Sequence, residues 1–198
     1  DELLFNIYRM GKNSIDRGSK DTWSLSPKKI DAINLAFQKE SKMARAPAQL
    51  PSRYYDSVML DKNQRDPRGY ILSSAQDDFP TAIKFVNALV RTGILVHKAT
   101  DIFNVAGKNY PKGSYIIKTN QAFRPHVLDM FEPQDHPNDF RYEGGPPIAP
   151  YDAAGWTLAY LMNVEFDRML EDFQGPFQRI PYGELQSPEI KTLSSSSG

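Results

Sequence analysis

The sequence predicts an α/β fold: a small, mostly parallel sheet, a βαβ unit plus a hairpin, with flanking helices and a proline-rich irregular segment. Three observations carry that expectation. Two short apolar runs, 69–74 and 94–99, bracket a segment whose apolar residues recur with helical period. A glycine-punctuated stretch at 104–118 reads as two strands and a turn. Of the 15 prolines, 13 fall outside those segments, where they mark irregular chain.

Residues 1–17 place Leu4, Ile7, Tyr8, Gly11 and Ile15 on one helical stripe, with Gly18 as a stop. Ser26-Pro27 is a helix start: a hydroxyl cap, then a proline where its missing N–H costs nothing. Ile30, Ile33 and Phe37 mark the helix that follows. Residues 41–68, with Pro47, Pro51 and Pro67 and no sustained period, read as a linker.

Gly69 to Ser74 reads as a buried strand. Asp78 caps the next helix, Pro80 sits in its first turn, and Ala82, Phe85, Val86, Leu89 and Val90 form its apolar face before Gly93. Ile94 to Ala99 is the second strand. A helix of about 14 residues is ~21 Å long, and six extended residues span ~20 Å. The helix therefore returns the chain to the edge it left, the geometry of a parallel βαβ unit. Asn104-Val105-Ala106 and Ser114 to Lys118 flank a Gly107…Gly113 turn region and predict a hairpin whose second arm joins the sheet.

Ala122 to Phe131 reads as a short helix interrupted early by Pro125. Residues 132–150 are irregular. Asp152 caps an uncharged helix over 153–162, which is expected to be buried. Val164 to Met169 alternates, as a last strand or a docking segment would, and extended chain follows beyond about 175. The expected organisation is an N-terminal helical segment at 1–40 (the tail of an upstream domain), a linker at 41–68, an α/β accessory domain at 69–175, and an extended or flexible tail at 176–198. A start at Asp1 inside a helix suggests a piece of something longer.

Composition narrows the function. The 198 residues hold 24 basic and 24 acidic groups, so no basic footprint for nucleic acid exists. No apolar run approaches the ~20 residues that span a bilayer. Without cysteine there are no disulfides, thiolate metal sites or cysteine nucleophiles. Charge is nonetheless uneven: residues 1–119 carry 19 basic and 12 acidic groups, and 120–198 carry 5 and 12. Two solvated faces account for this, as does attraction between the halves or to a charged neighbour.

The chemistry-bearing residues are few. The histidines are His97, His126 and His136. His97 lies in a strand with no acid pattern beside it and reads as structural. Within 124–139, His126…Asp129 and His136…Asp139 are each spaced i, i+3, which on a helix puts imidazole and carboxylate on one face. Such a set could chelate zinc or orient a base. A histidine–carboxylate hydrogen bond with loop packing is the plainer account, and Pro137 disfavours a helix across the second pair. There is no Gly-x-Ser-x-Gly around Ser73-Ser74, no Gly-x-Gly-x-x-Gly and no Walker lysine motif. Trp23 and Trp156 read as core anchors.

Tyr8 to Gly18, Asp66-Pro67-Arg68-Gly69-Tyr70-Ile71-Leu72, Phe123 to Phe140, and Pro150-Tyr151-Asp152 through Met162 resemble the region downstream of the catalytic domain in large bacterial M14-type zinc carboxypeptidases. The resemblance covers the chain to about residue 182. It implies an upstream peptidase domain as partner, zinc in that parent rather than in this segment, proteolysis by the parent, and a periplasmic or extracellular location. The family's metal motif is His-x-x-Glu with a distal histidine. This chain has no His-x-x-Glu, and His126 and His136 have aspartate at the third place. No catalytic or cofactor-binding residue therefore carries over. The expected function is a non-catalytic accessory domain. The alternatives are an independent metal-dependent hydrolase using His126, Asp129, His136 and Asp139, and a peptide- or cell-wall-binding module using the surface of 131–151.

Overall fold

The computed structural model describes residues 1–41, 51–133, 139–149 and 157–188. Helix α1 (Glu2–Gly18) and helix α2 (Pro27–Ser41) come first. Ser26 caps α2, its Oγ accepting from Lys29 N at 3.4 Å. The stretch read as a linker contains short helical pieces where it is described: α3 (Ser52–Tyr54) runs into a π turn (Tyr55–Met59), and a 3-10 turn (Lys62–Gln64) follows. Tyr54 is buried edge-to-face against Phe37 of α2, 5.8 Å between ring centres, which ties this stretch to α2.

Strand β1 (Gly69–Leu72) leads into helix α4 (Phe79–Arg91). Asp78 caps α4 as expected, its Oδ1 accepting from Thr81 N at 3.1 Å, and Gly93 follows the helix at φ +88°. Ala82, Ile83, Phe85, Val86, Leu89 and Val90 are the buried face of α4. Strand β2 (His97–Ala99), hairpin strands β3 (Phe103–Val105) and β4 (Lys108–Tyr110), and strand β5 (Tyr115–Lys118) come next. Helix α5 (Arg124–Phe131), the single turn α6 (Leu158–Leu161), and strands β6 (Asp167–Met169) and β7 (Phe177–Arg179) complete the described elements.

The five-stranded sheet has the order β6-β1-β5-β2-β7, and every pairing in it is antiparallel. This overturns the expectation of a mostly parallel sheet. The α4 crossover does bring β2 back parallel to β1, because both lie antiparallel to β5. The two are not neighbours, however, since β5 is inserted between them. Length arithmetic constrains strand direction and leaves adjacency open. The side chains decide adjacency: β5 carries Tyr115, Ile116 and Ile117, buried on both faces, whereas β2 carries His97 and Lys98, which are only half-buried. The strand that is apolar on both faces takes the centre.

The hairpin also differs from expectation. Its arms are β3 and β4, in a separate two-stranded sheet, with Phe103 opposite Tyr110. The turn is Ala106-Gly107, both at positive φ (51° and 81°), the geometry of a two-residue type I′ connection. Gly107 closes this turn, and β5 joins the main sheet after a second turn at Pro111–Gly113.

Both sheet faces are covered. Tyr70, Leu72, Tyr115 and Ile117 pack with α4, Val127 and Phe131 of α5, and Ala159 of α6. Ile71 and Ile116 face the other way, onto Phe103, Tyr110, Met169 and Phe173. The expected burial of the uncharged 153–162 segment fails in its described part. Ala159 is buried, but Tyr160 and Leu161 are exposed. Absence of charge leaves a helix free to be buried without making it so, and one turn has room to bury one side. Asp152 to Trp156 lie outside the described residues.

Candidate functional site

A cleft lies where the α1–α2 corner meets α5, and its walls are built by arginines. Arg68 donates through Nε to Gly18 O (3.0 Å) and through Nη2 to Ser19 O (2.8 Å), which fixes the end of α1 against the start of β1. Gly18 makes that approach possible, since a Cβ there would fall 2.1 Å from the Thr119 carbonyl oxygen. Arg65 is buried and bridges Asp21 (2.6 Å) and Glu171. Trp23, read as a core anchor, is instead half-buried and belongs to neither core cluster; its Nε1–H donates to Asp61 O at 2.8 Å.

At the floor, Arg124 of α5 donates through Nη2 to Asp66 (2.7 Å) and Thr22 Oγ1 (3.1 Å). Both side chains of the Arg124–Asp66 pair are nearly out of solvent, at 6% and 11% exposed. Asp66 also accepts from Ser24 N (2.8 Å), Ser24 Oγ and Thr22 Oγ1. Glu132, just past α5, accepts from Tyr70 OH (2.7 Å) and Arg168 Nε (2.9 Å). Arg168 Nη2 reaches back to Arg65 O at 2.8 Å. Burial first, and then the Glu132 charge, hold the Tyr70 phenol well above its ordinary pKa, so it stays a donor at neutral pH. The cavity above this floor is about 500 Å³ and is lined by Arg17, Lys29, Asp66, Arg124, Glu132 and Arg168, among others. A neighbouring cavity of about 680 Å³ shares Lys29, Glu132 and Arg168 and adds Tyr160 and Phe166.

Three of the four candidate metal ligands lie among the described residues. His126 and Asp129 lie on α5, half-buried and exposed respectively. Asp139 lies in the following loop, where its main-chain oxygen accepts from Ile148 N at 2.9 Å. His136 lies outside the described residues. Among the described residues no three histidine, aspartate or glutamate side chains could together hold a metal ion. Ser74 Oγ donates to Lys112 O at 2.9 Å, an interaction that pins the β1–α4 loop. His97 is partly buried in β2, and burial, then the charges of Arg179 and Lys118, lower its pKa.

Asp66, Glu132, Arg124 and Arg168 are not singled out by spacing: apart from Arg124 and Glu132, they lie far from one another in the chain. The available signals are two strings, Asp66-Pro67-Arg68-Gly69, the turn that leads from the cleft floor into β1, and Phe123 to Phe140, which holds Arg124 and Glu132.

No family model, curated protein or solved structure matches the chain. No helix among the described residues is long and apolar enough to cross a membrane.

Proposed function

We propose that the chain is a non-catalytic accessory domain of a protein resembling the M14-type zinc carboxypeptidases, and that it docks on the peptidase domain through α1. The observation that carries this reading is the first half of α1. Leu3, Leu4, Phe5, Ile7, Tyr8 and Met10 are between 57% and 72% exposed. A contiguous set of large apolar side chains of this kind marks a protein contact. In the second half of the same helix Gly11 and Gly18 approach Ala122 and the Thr119 main chain, so the helix is seated on the body there. Zinc and the hydrolytic residues belong to the partner in this reading, and the long strings resembling the post-catalytic region support it.

Two measurements test it. The 198-residue chain with added zinc should not hydrolyse C-terminal residues from peptides, and chelator-sensitive turnover would overturn the reading. Ile7→Glu with Met10→Glu should weaken association with the peptidase domain of the same protein at least tenfold while leaving the far-UV circular dichroism unchanged. Association that survives both substitutions would exclude α1 as the contact.

A second reading, a peptide- or cell-wall-binding module, draws on the 139–149 loop, where Phe140, Tyr142 and Ile148 are half or more exposed. Saturable binding of cell-wall fragments, lost in Tyr142→Ala, would favour it over docking.

A further inference from the structure

In the cleft between the α1–α2 corner and α5, carboxylates and cations are unequally engaged. Asp66 accepts four hydrogen bonds, from Thr22 Oγ1, Ser24 N, Ser24 Oγ and Arg124 Nη2. An ionised carboxylate offers about four lone-pair sites, so Asp66 is saturated. Glu132 is engaged by Tyr70 and Arg168. The third carboxylate, Asp129, sits at the exposed rim.

The cations stand differently. Arg124 is 5% exposed, and its Nε is enclosed, with no hydrogen-bond partner among the described residues. A guanidinium carries five N–H donors, and leaving one buried and unmet is costly. Among the described residues Lys29 Nζ donates only to main-chain oxygens, Ser24 O at 2.8 Å and Gln64 O at 3.5 Å. Among the described residues no carboxylate pairs with Lys29 or with Arg17. Arg17 and Lys29, which no carboxylate meets among the described residues, therefore line one cavity of about 500 Å³ with Arg124 in its floor. Cavities of this size are typical of small-molecule sites.

We propose that this cleft binds an oxyanion, a phosphate or a carboxylate, between Arg17, Lys29 and Arg124. Asp66 holds Arg124 in place; Arg124 adds its charge at the floor, and Arg17 and Lys29 offer the donors that reach the ligand. The cavity exceeds the needs of a bare anion, so the anion is the head group of a larger molecule. This proposal is independent of the docking role of α1.

The test is a titration of the 198-residue chain with inorganic phosphate and, separately, with acetate at constant ionic strength, following the Arg124 Nε–Hε resonance by NMR. A saturable shift is expected, and it should weaken at least tenfold in Arg17→Gln with Lys29→Gln. Both of those positions lie outside the buried Arg124–Asp66 pair, so the double variant should fold. A response to phosphate alone assigns a phosphate ligand, a response to acetate alone a carboxylate, and a response to both a general oxyanion site. No saturable shift with either probe, or an affinity unchanged in the double variant, overturns the proposal.

Discussion

At the residue scale, Gly18 holds a position that a larger side chain would not, and His97 has its pKa lowered by burial. A Cβ at residue 18 meets the Thr119 carbonyl oxygen at 2.1 Å and the Asn120 Cα at 2.6 Å. Main chain of this kind cannot swing aside as a flexible side chain would, so Gly18→Ala must push α1 off the body. Overpacking typically costs about 1–3 kcal/mol, and a loss in that range is expected in urea unfolding, with α1 amides losing protection from hydrogen exchange. His97 sets a pH dependence. Its folded-state pKa lies below the unfolded value of about 6.5. The unfolded chain therefore binds a proton more readily, and stability falls as the pH drops through that value towards the lower folded pKa. Urea midpoints measured across this window should fall on acidification, and His97→Gln should flatten the slope.

At the element scale, β5 is the strand on which the sheet depends. It hydrogen-bonds to both β1 and β2 and sends Ile117 to one core and Ile116 to the other, both fully buried. Truncating a buried isoleucine to alanine costs about 2–5 kcal/mol. Ile116→Ala and Ile117→Ala should each fall in that range, whereas Ile102→Ala, at a site 68% exposed, should change stability by less than about 0.5 kcal/mol. Two values near zero for the β5 variants would remove the strand from the centre. Local elements were largely legible for the same reason that these side chains matter. The α4 periodicity, its Asp78 cap and the Gly93 stop are short-range signals. Strand order is long-range. The hairpin hid it, because Ala106-Gly107 and Gly113 lie close together in sequence and either could have been the turn. The positive φ of Ala106, uncommon for a residue with a side chain, was not readable from its type. The cleft was less legible still. Arg124 and Asp66 stand 58 residues apart, and nothing in the spacing joins them.

At the scale of the whole molecule, the charge asymmetry along the chain acts as an internal attraction. Of the two accounts the composition allowed, the ion pairs favour contact between the halves. Arg65 with Glu171, Lys108 with Asp167 (2.7 Å) and Lys118 with Asp172 (2.9 Å) each join a base from 1–119 to an acid from 120–198. They fasten the 167–172 segment to the 3-10 turn, the β3–β4 hairpin and β5, and so hold β6 at the sheet edge. At least one partner of each pair is substantially exposed, so salt should reach them. The screening length falls from ~30 Å at about 0.01 M to ~3 Å at about 1 M ionic strength. Sodium chloride added over that range should therefore lower the urea midpoint, and Asp167→Asn with Asp172→Asn should shrink the dependence. The double variant would remove two of these three attractions while leaving the β6 backbone ladder to β1 intact, so its loss of stability should be largest at low salt and vanish at high salt. A midpoint that rises with salt, or a variant deficit independent of salt, would mean that apolar burial around Met169 and Phe173 alone seats this segment.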